Sequence, residues 1–223
     1  MLKEIWHFVR HAPGVARLSF SMSQAELYDE LIERSDTVGL AVRRAALVED
    51  LSGDVLEIGC GTGRMLRHYP GGVRLIATEP AADFLKLAEE RGGDSEAQVS
   101  FEVADAMDLP YEDGRFDAVV AASVLCSVPS VERILGEVKR VLKPAGRLRL
   151  IDHVLSDRAV PAALMHVFNP LWRLWNRQGC NMNRSVEAPL RAAGFTLVEV
   201  ERFQIFAPGL PAFPSLAIKA VRE

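Results

Sequence analysis

A glycine-rich turn between an apolar run and a helical segment is the strongest constraint on the fold. Residues 55–63 read Val-Leu-Glu-Ile-Gly-Cys-Gly-Thr-Gly, with glycine at every second position of the turn. Glycine lets a backbone bend sharply and lets a ligand lie against bare main chain. A turn that only connects the two elements is the alternative interpretation, and the neighbouring motifs disfavour it. The candidate ligand contacts in this segment are Glu57, Gly59, Cys60, Gly61 and Gly63.

Strand and helix signals alternate on both sides of this turn. Parallel strands need a covering helix in each connection, so the alternation predicts a doubly wound α/β fold with a mostly parallel, seven-stranded sheet. Two strands with no helix between them predict an antiparallel C-terminal pair. The predicted strands are 54–60, 73–78, 99–103, 116–125, 147–154, 195–205 and 216–221; the predicted helices are 21–51, 63–69, 81–91, 131–142, 161–177 and 186–193.

The chain of 223 residues has the length of one α/β domain with a modest insertion. No internal repeat or linker divides it. A single domain is therefore predicted. Its expected parts are an N-terminal helical lid at 1–52, a ligand-binding core at 53–154, a substrate-side insertion at 155–185, and a closing helix and strands at 186–223.

Two acidic residues lie where strands of a nucleoside-binding sheet end. Glu79, before Pro80, follows the second strand, the position at which doubly wound folds bind a ribose diol. A solvated strand-end acid is the alternative. Asp105 follows the third strand and can accept a hydrogen bond from an adenine amino group, while Ala106 and Met107 can pack on the ring.

The end of the fourth strand, at Ala122 and Ser123, would lie on the other side of the topological switch point, beside the reaction centre.

The net charge of −4 with interspersed signs argues against nucleic acid as a substrate. The three cysteines are scattered, with no spacing typical of a metal site, so no metal and a reducing, cytoplasmic setting are predicted. Residues 1–10 predict no signal peptide, and no run approaches the roughly 20 apolar residues of a membrane span.

Taken together, these motifs resemble the class I S-adenosylmethionine (SAM) methyltransferases, which implies SAM as the cofactor and methyl transfer as the activity. In this family the segment that corresponds to residues 142–146 usually has glycine at the position of Ala145. We expect this departure to have only a small effect on the turn there. The motifs say little about the methyl acceptor. The segments that carry the resemblance are 55–63, 78–80, 104–110, 116–120 and 142–148.

A narrower resemblance is to the alkyl thiol S-methyltransferases, carried by residues 124–128, 132–135, 152–154 and 179–184. Their pattern has Glu at the position of Asp152 and Thr at the position of Asn183. They also have an apolar N-terminal anchor that is not predicted here. The chain resembles phospholipid and quinone methyltransferases equally well. A small, apolar acceptor with a thiol, amine or hydroxyl group is therefore the expectation, and the oligomeric state is left open.

An acceptor that must lose a proton needs a base. His153, just past the fifth strand, is the candidate general base, and a structural histidine at a strand end is an equally good interpretation. Asp152 would orient His153, bind substrate or cap a helix. Cys126 and Cys180 are predicted to be structural or to line the pocket.

The acceptor pocket is expected between the N-terminal helices and the insertion. Tyr28 resembles the tyrosine that many small-molecule methyltransferases place over the cofactor. Residues 165–175 carry large apolar groups at helical spacing, which predicts packing on the core or, alternatively, an apolar lid or a patch that touches a membrane surface. Two rival functions remain open: a SAM-binding module without catalysis, and an NAD-dependent dehydrogenase, which uses a similar glycine-rich turn and acid.

Overall fold

The computed structural model describes residues 22–176, 179–205 and 213–223. A seven-stranded sheet runs through this part of the chain in the order β3-β2-β1-β4-β5-β7-β6. Strands β1 to β5 pair in parallel, whereas β7 pairs antiparallel with both β5 and β6. The doubly wound fold and its antiparallel C-terminal pair are therefore confirmed. The strands are β1 Gly53–Ile58, β2 Val73–Thr78, β3 Gln98–Glu102, β4 Phe116–Ala122, β5 Leu142–His153, β6 Phe195–Ile205 and β7 Phe213–Arg222.

Helices cover the sheet and its carboxyl edge. The N-terminal helical segment is divided by a kinked turn at Asp36–Leu40, where Gly39 adopts a φ of 113°. A φ in this range is accessible to glycine and breaks the helix at that point. The helices are α1 Gln24–Ser35, α2 Ala41–Val48, α3 Ala82–Arg91, α4 Val131–Val141, α5 Ala159–Asn176 and α6 Glu187–Ala192.

The core lies on both faces of the sheet. Six of the seven residues of β4 are buried, which explains why its sequence is an almost unbroken apolar run. Helix α4 packs one apolar stripe on this sheet, formed by Val131, Ile134, Leu135, Val138 and Val141. The spacing of three and four residues puts these side chains on one face of the helix.

Two sequence predictions on local structure are wrong. The helix predicted for residues 63–69 is only a short 3₁₀ turn at Leu66–His68, because Tyr69 precedes Pro70 and is held in extended backbone. The fourth strand ends at Ala122 and not at Leu125, because Ser123 adopts a φ of 62° and turns the chain out of the sheet.

The predicted loop at residues 207–211 and the N-terminal residues 1–10 lie outside the described part of the chain. Among the described residues, none of the helices is long and apolar enough to span a membrane.

Ala145 adopts a φ of 58°, a left-handed conformation that costs an alanine more than a glycine. We expect Ala145→Gly to raise the free energy of unfolding by about 1 kcal/mol, measured by urea denaturation. Ala163→Gly, in the exposed interior of α5, is the matched control and should lower it by about 1 kcal/mol. A loss of stability in both variants would contradict the strain assigned to Ala145.

Candidate active site

The turns that follow four parallel strands meet at one edge of the sheet. Ile58 pairs with Thr78 on one side and with Ala121 on the other, and Ala122 pairs with Ile151. The carboxyl ends of β1, β2, β4 and β5 therefore lie side by side. Ligands of open α/β sheets bind at this edge, where the strand order reverses. The reversal here is between β1 and β4, next to the glycine-rich turn.

The glycine-rich turn forms a cradle that side chains would fill. Gly59 has a φ of 61°, and a Cβ atom there would lie 2.9 Å from Val124 Cγ2. Gly63 has a φ of 79°, and its Cβ would lie 2.9 Å from the backbone of Ala88. These positions need glycine for both conformation and space. Both contacts are with the protein itself, so the role predicted for this turn, bare main chain facing a ligand, stays a prediction.

Glu79 lies against this turn. Its carboxylate accepts hydrogen bonds from the backbone N–H of Gly61 at 3.1 Å and of Ala81, just after Pro80, at 3.2 Å. Burial raises the pKa of Glu79, and the two backbone donors act in the opposite direction. The acid predicted to bind a ribose diol is thus held at the mouth of the cradle, with its two oxygens oriented by main chain.

Buried charge continues beneath the turn. Glu57 is 1% exposed and accepts a hydrogen bond from the Tyr69 hydroxyl at 3.0 Å, and burial raises the pKa of its carboxyl to about 7. Burial also raises the pKa of the Cys60 thiol, so this cysteine is neutral. Arg44 Nε lies 3.2 Å from Asp36 Oδ1, with both side chains buried.

Arg44, Glu57 and Cys60 border a small cleft of about 10 Å³ that opens to solvent. Arg44 was missed by the sequence interpretation, although its place in the apolar stripe of α2 was a signal for it. Residues lining the cleft are Tyr28, Ile32, Arg44, Glu57, Gly59, Cys60, Thr62, Arg64, Met65 and Ala122.

Helix α1 lies over the glycine-rich turn. The Tyr28 ring packs against Phe84 at a centroid distance of 5.6 Å, and a Cβ on Gly61 would lie 3.5 Å from this ring. The next residue of the helix, Asp29, accepts hydrogen bonds from Arg64 Nη2 and Arg91 Nη2, each at 2.6 Å. The sequence interpretation missed Asp29, because an acid on an amphipathic helix usually faces solvent.

We expect Asp29→Ala to lower the free energy of unfolding by about 2 kcal/mol, because it removes the carboxylate that two partly buried arginines share. Its carboxylate also accepts from the Thr62 hydroxyl at 2.6 Å, which fixes the glycine-rich turn. Urea denaturation measures the loss. Glu30→Ala removes a helix-surface pair with Arg34 and should cost less than about 0.5 kcal/mol. Equal effects of the two substitutions would refute a locking role for Asp29.

The residues predicted to contact the adenine and to border the reaction centre lie at the same edge of the sheet. Asp105 is exposed and accepts a hydrogen bond from the Met107 backbone N–H at 2.9 Å, while Ala106 and Met107 pack on the core. Across the switch point, the Ser123 backbone N–H donates to the Ile151 carbonyl at 2.7 Å. The left-handed Ser123 stores local strain, which is common at functional sites.

Asp152 is 2% exposed and joins two segments of the acceptor side. Its carboxylate accepts from the backbone N–H of Cys126 at 3.1 Å and of His153 at 2.9 Å. Its Oδ1 lies 3.7 Å from His153 Nδ1. This distance is too long for a hydrogen bond, so the roles predicted for Asp152, orienting His153, binding substrate or capping a helix, stay predictions.

His153 contacts a cysteine that the sequence interpretation did not connect with it. His153 Nε2 lies 2.9 Å from Cys180 Sγ, and the imidazole packs on Phe213 at a centroid distance of 5.1 Å. Burial lowers the pKa of His153, because it disfavours the charged imidazole. The hydrogen bond and charge of Cys180 and the charge of Asp152 have a larger effect in the opposite direction, so the pKa of His153 is raised. Hydrogen bonds to Cys180 from Cys126, His153 and Trp172 lower the pKa of its thiol to about 4.

A strap at residues 179–184 brings Cys180 to this position. The Asn181 backbone N–H donates to the Cys126 carbonyl at 2.8 Å, and Arg184 donates to the Leu125 carbonyl at 2.7 Å. Gly179 has a φ of 73°, and a Cβ there would lie 3.0 Å from the Ser127 carbonyl. The strap therefore lies directly on the turn that follows β4.

Comparison with known proteins identifies the family. Residues 56–150 match the family model described as a methyltransferase domain. The chain is 36% identical over 175 residues to the human thiol S-methyltransferase TMT1B, covering 75% of this chain and 70% of that protein. It is 32% identical over 170 residues to a demethylmenaquinone methyltransferase of Deinococcus radiodurans, covering 73% and 67%. The chain therefore belongs to the class I SAM-dependent methyltransferases.

Solved structures share the fold. A SAM-dependent methyltransferase of Thermotoga maritima superposes with a TM-score of 0.65 at 22% identity, covering 88% of this chain and 95% of that one. The [4+2]-cyclase SpnF superposes with a TM-score of 0.62 at 21% identity, covering 82% and 79%.

The cradle fits the cofactor of this family. SAM supplies a methyl group activated on a sulfonium, so the chemistry of the donor resides in the cofactor. The protein must bind its nucleoside, expose its methyl to the acceptor and exclude water. Three features at this sheet edge are suited to these tasks: the backbone of the glycine-rich turn, the Glu79 carboxylate and Tyr28 on α1.

Proposed function

We propose that this enzyme transfers a methyl group from SAM to the sulfur of a small, apolar thiol. The contact between His153 Nε2 and Cys180 Sγ, at the sheet edge next to Ser123, carries the proposal. A thiol must lose its proton before its sulfur can attack, and the positive charge that the raised pKa favours on His153 would stabilise the thiolate that forms. The similarity to a human thiol S-methyltransferase supports the same acceptor.

For the cofactor, we propose that the Glu79 carboxylate binds the ribose diol and that Asp105 accepts from the adenine amino group. Tyr28 closes over the cofactor from α1. The methionine half would lie between the glycine-rich turn and the end of β4. The residues proposed to contact SAM are Tyr28, Glu57, Gly59, Cys60, Gly61, Gly63, Glu79, Pro80, Asp105, Ala106, Met107, Ala122 and Ser123.

Calorimetric titration of the full chain with SAM, S-adenosylhomocysteine and NAD tests the cofactor part. Micromolar binding of the first two and none of NAD is expected. A panel of small thiols, amines and phenols, scored by S-adenosylhomocysteine release, then tests the acceptor. Turnover with thiols above the other classes is the expected result; turnover confined to amines or phenols would overturn the thiol assignment.

The described cysteines are free, which supports our proposal of a reducing, cytoplasmic location.

We also propose that α5 contacts an anionic lipid surface. This helix of 18 residues contains no Asp or Glu and presents an apolar stripe to solvent, with Arg173 in its last turn. The exposed stripe itself is apolar, and the one formally charged side chain of the helix, Arg173, is a cation, so an anionic membrane interface would not repel the helix. The exposed stripe consists of Val160, Leu164, Val167, Phe168, Leu171 and Leu174.

Sedimentation with anionic phospholipid vesicles measures this contact. The double variant Leu171→Glu with Leu174→Glu should reduce the bound fraction at least about fivefold, because it adds two like charges to the apolar face. Val42→Glu changes a similarly exposed residue of α2 and should bind as the native chain does. Binding that is insensitive to the double variant would exclude α5 as the contact.

A further inference from the structure

Three side chains with metal-binding atoms converge on the acceptor side of the sheet edge. The ligand atoms of Cys126, His153 and Cys180 lie within 4.8 Å of one another. They come from three separate segments: the turn after β4, the end of β5 and the strap at 179–184. Spacing along the chain does not indicate this group, because its members are brought together only by the fold.

We propose that Cys126, His153 and Cys180 bind a zinc ion. Two sulfurs and one imidazole nitrogen are a donor set that zinc prefers. Structural zinc sites have four protein ligands, whereas catalytic sites have three and keep one position for water or substrate. Among the residues that the structure describes, the group has three members, so the fourth position is available to an external ligand.

The surroundings of the group hold its ligands in place. Asp152 accepts from the backbone N–H groups of Cys126 and His153, and Trp172 Nε1 donates to Cys180 Sγ at 3.3 Å. Such outer contacts orient ligands and tune their basicity. Cys126 is 2% exposed, whereas His153 and Cys180 are only partly buried, so the group opens towards the side of these two residues.

The open position would receive the acceptor thiol, a step that rests on the proposed function. The thiol sulfur bonds to zinc, a bound water leaves, and the thiol proton is released to solvent. His153 would then assist loss of the proton as a metal ligand and not as a free base. The sulfur is held as a thiolate beside Ser123, where the methyl donor is expected.

Titration of the metal-free, reduced full chain with Co²⁺, in place of zinc, tests the site without any turnover. We expect about one cobalt per chain, with intense visible bands of tetrahedral geometry and a thiolate charge-transfer band in the near-ultraviolet. Zinc should displace the cobalt. Cys180→Ser and His153→Gln should each weaken binding at least about tenfold.

Cys60→Ser is the matched control, because Cys60 is a buried cysteine outside the group, and it should bind cobalt as the native chain does. Circular dichroism confirms that each variant is folded. Octahedral, thiolate-free spectra, or equal binding by Cys180→Ser and the native chain, would overturn the site.

Addition of a small alkyl thiol to the cobalt form should intensify the charge-transfer band and release about one proton per thiol bound. An unchanged spectrum would overturn the open position. SAM binding, measured separately by calorimetry on the metal-free chain, distinguishes failure of this site from failure of the proposed function.

Discussion

Glu79→Ala should weaken SAM binding about a hundredfold. A carboxylate that accepts hydrogen bonds from two ribose hydroxyls contributes about 1.5–3 kcal/mol for each bond, and about 1.4 kcal/mol corresponds to a tenfold change in affinity. The alanine variant also removes the acceptor of the Gly61 backbone N–H, so the cradle loses an internal support. Calorimetric titration with SAM measures the effect.

Two further variants make this result specific. Glu79→Gln keeps one acceptor oxygen and should weaken SAM binding only about tenfold. Its hydrogen bonds to the ribose are weaker because they involve an uncharged amide. Asp83→Ala removes an exposed acid from the first turn of α3 and should bind SAM as the native chain does. If Glu79→Ala and Asp83→Ala had the same affinity, the ribose role of Glu79 would be wrong.

His153→Ala should lower turnover about a hundredfold with a small thiol, while SAM affinity changes less than about twofold. Assistance in proton removal commonly contributes a factor of about 10² to 10⁴. His153 contacts Cys180 and Phe213, away from the glycine-rich turn, so its removal should leave the cofactor cradle intact. Steady-state kinetics and calorimetry on the same preparation separate the two effects.

His166→Ala is the control for this substitution, because His166 is an exposed histidine on α5. Its turnover should match that of the native chain. Native turnover of the His153 variant at high pH, where the thiol ionises by itself, would still agree with a role in deprotonation. Native turnover at neutral pH would remove His153 from the reaction.

The cofactor half of the site could be predicted because its residues are local in sequence. The segment Glu57–Gly63 specifies a strand, a tight turn and a ligand-facing backbone within a few residues. Glu79 and Asp105 each follow a strand that is evident from its apolar pattern. In a parallel sheet the carboxyl ends of strands share one edge, so placing each residue at a strand end is enough to bring the residues together.

The acceptor half could not be predicted in the same way. Cys126, His153 and Cys180 are far apart in sequence. Backbone hydrogen bonds of the strap bring Cys180 to the other two, and the hydrophobic periodicity of the sequence does not indicate these bonds. Asp29 was missed for a related reason, since a charged residue on a helix surface gives no sign of a distant partner, whereas the place of Arg44 in the apolar stripe of α2 does indicate burial. The turn at Leu66–His68 is shorter than the predicted helix because Pro70 restricts Tyr69 to extended backbone.

Methyl transfer from SAM to a thiol sulfur at this sheet edge can be followed with an isotope. The full chain is incubated with SAM carrying a deuterium-labelled methyl and a small alkyl thiol, and the products are analysed by mass spectrometry. We expect a labelled methyl thioether and S-adenosylhomocysteine in equal amounts. SAM binding without S-adenosylhomocysteine formation, with any thiol tested, would show that the proposed reaction is wrong.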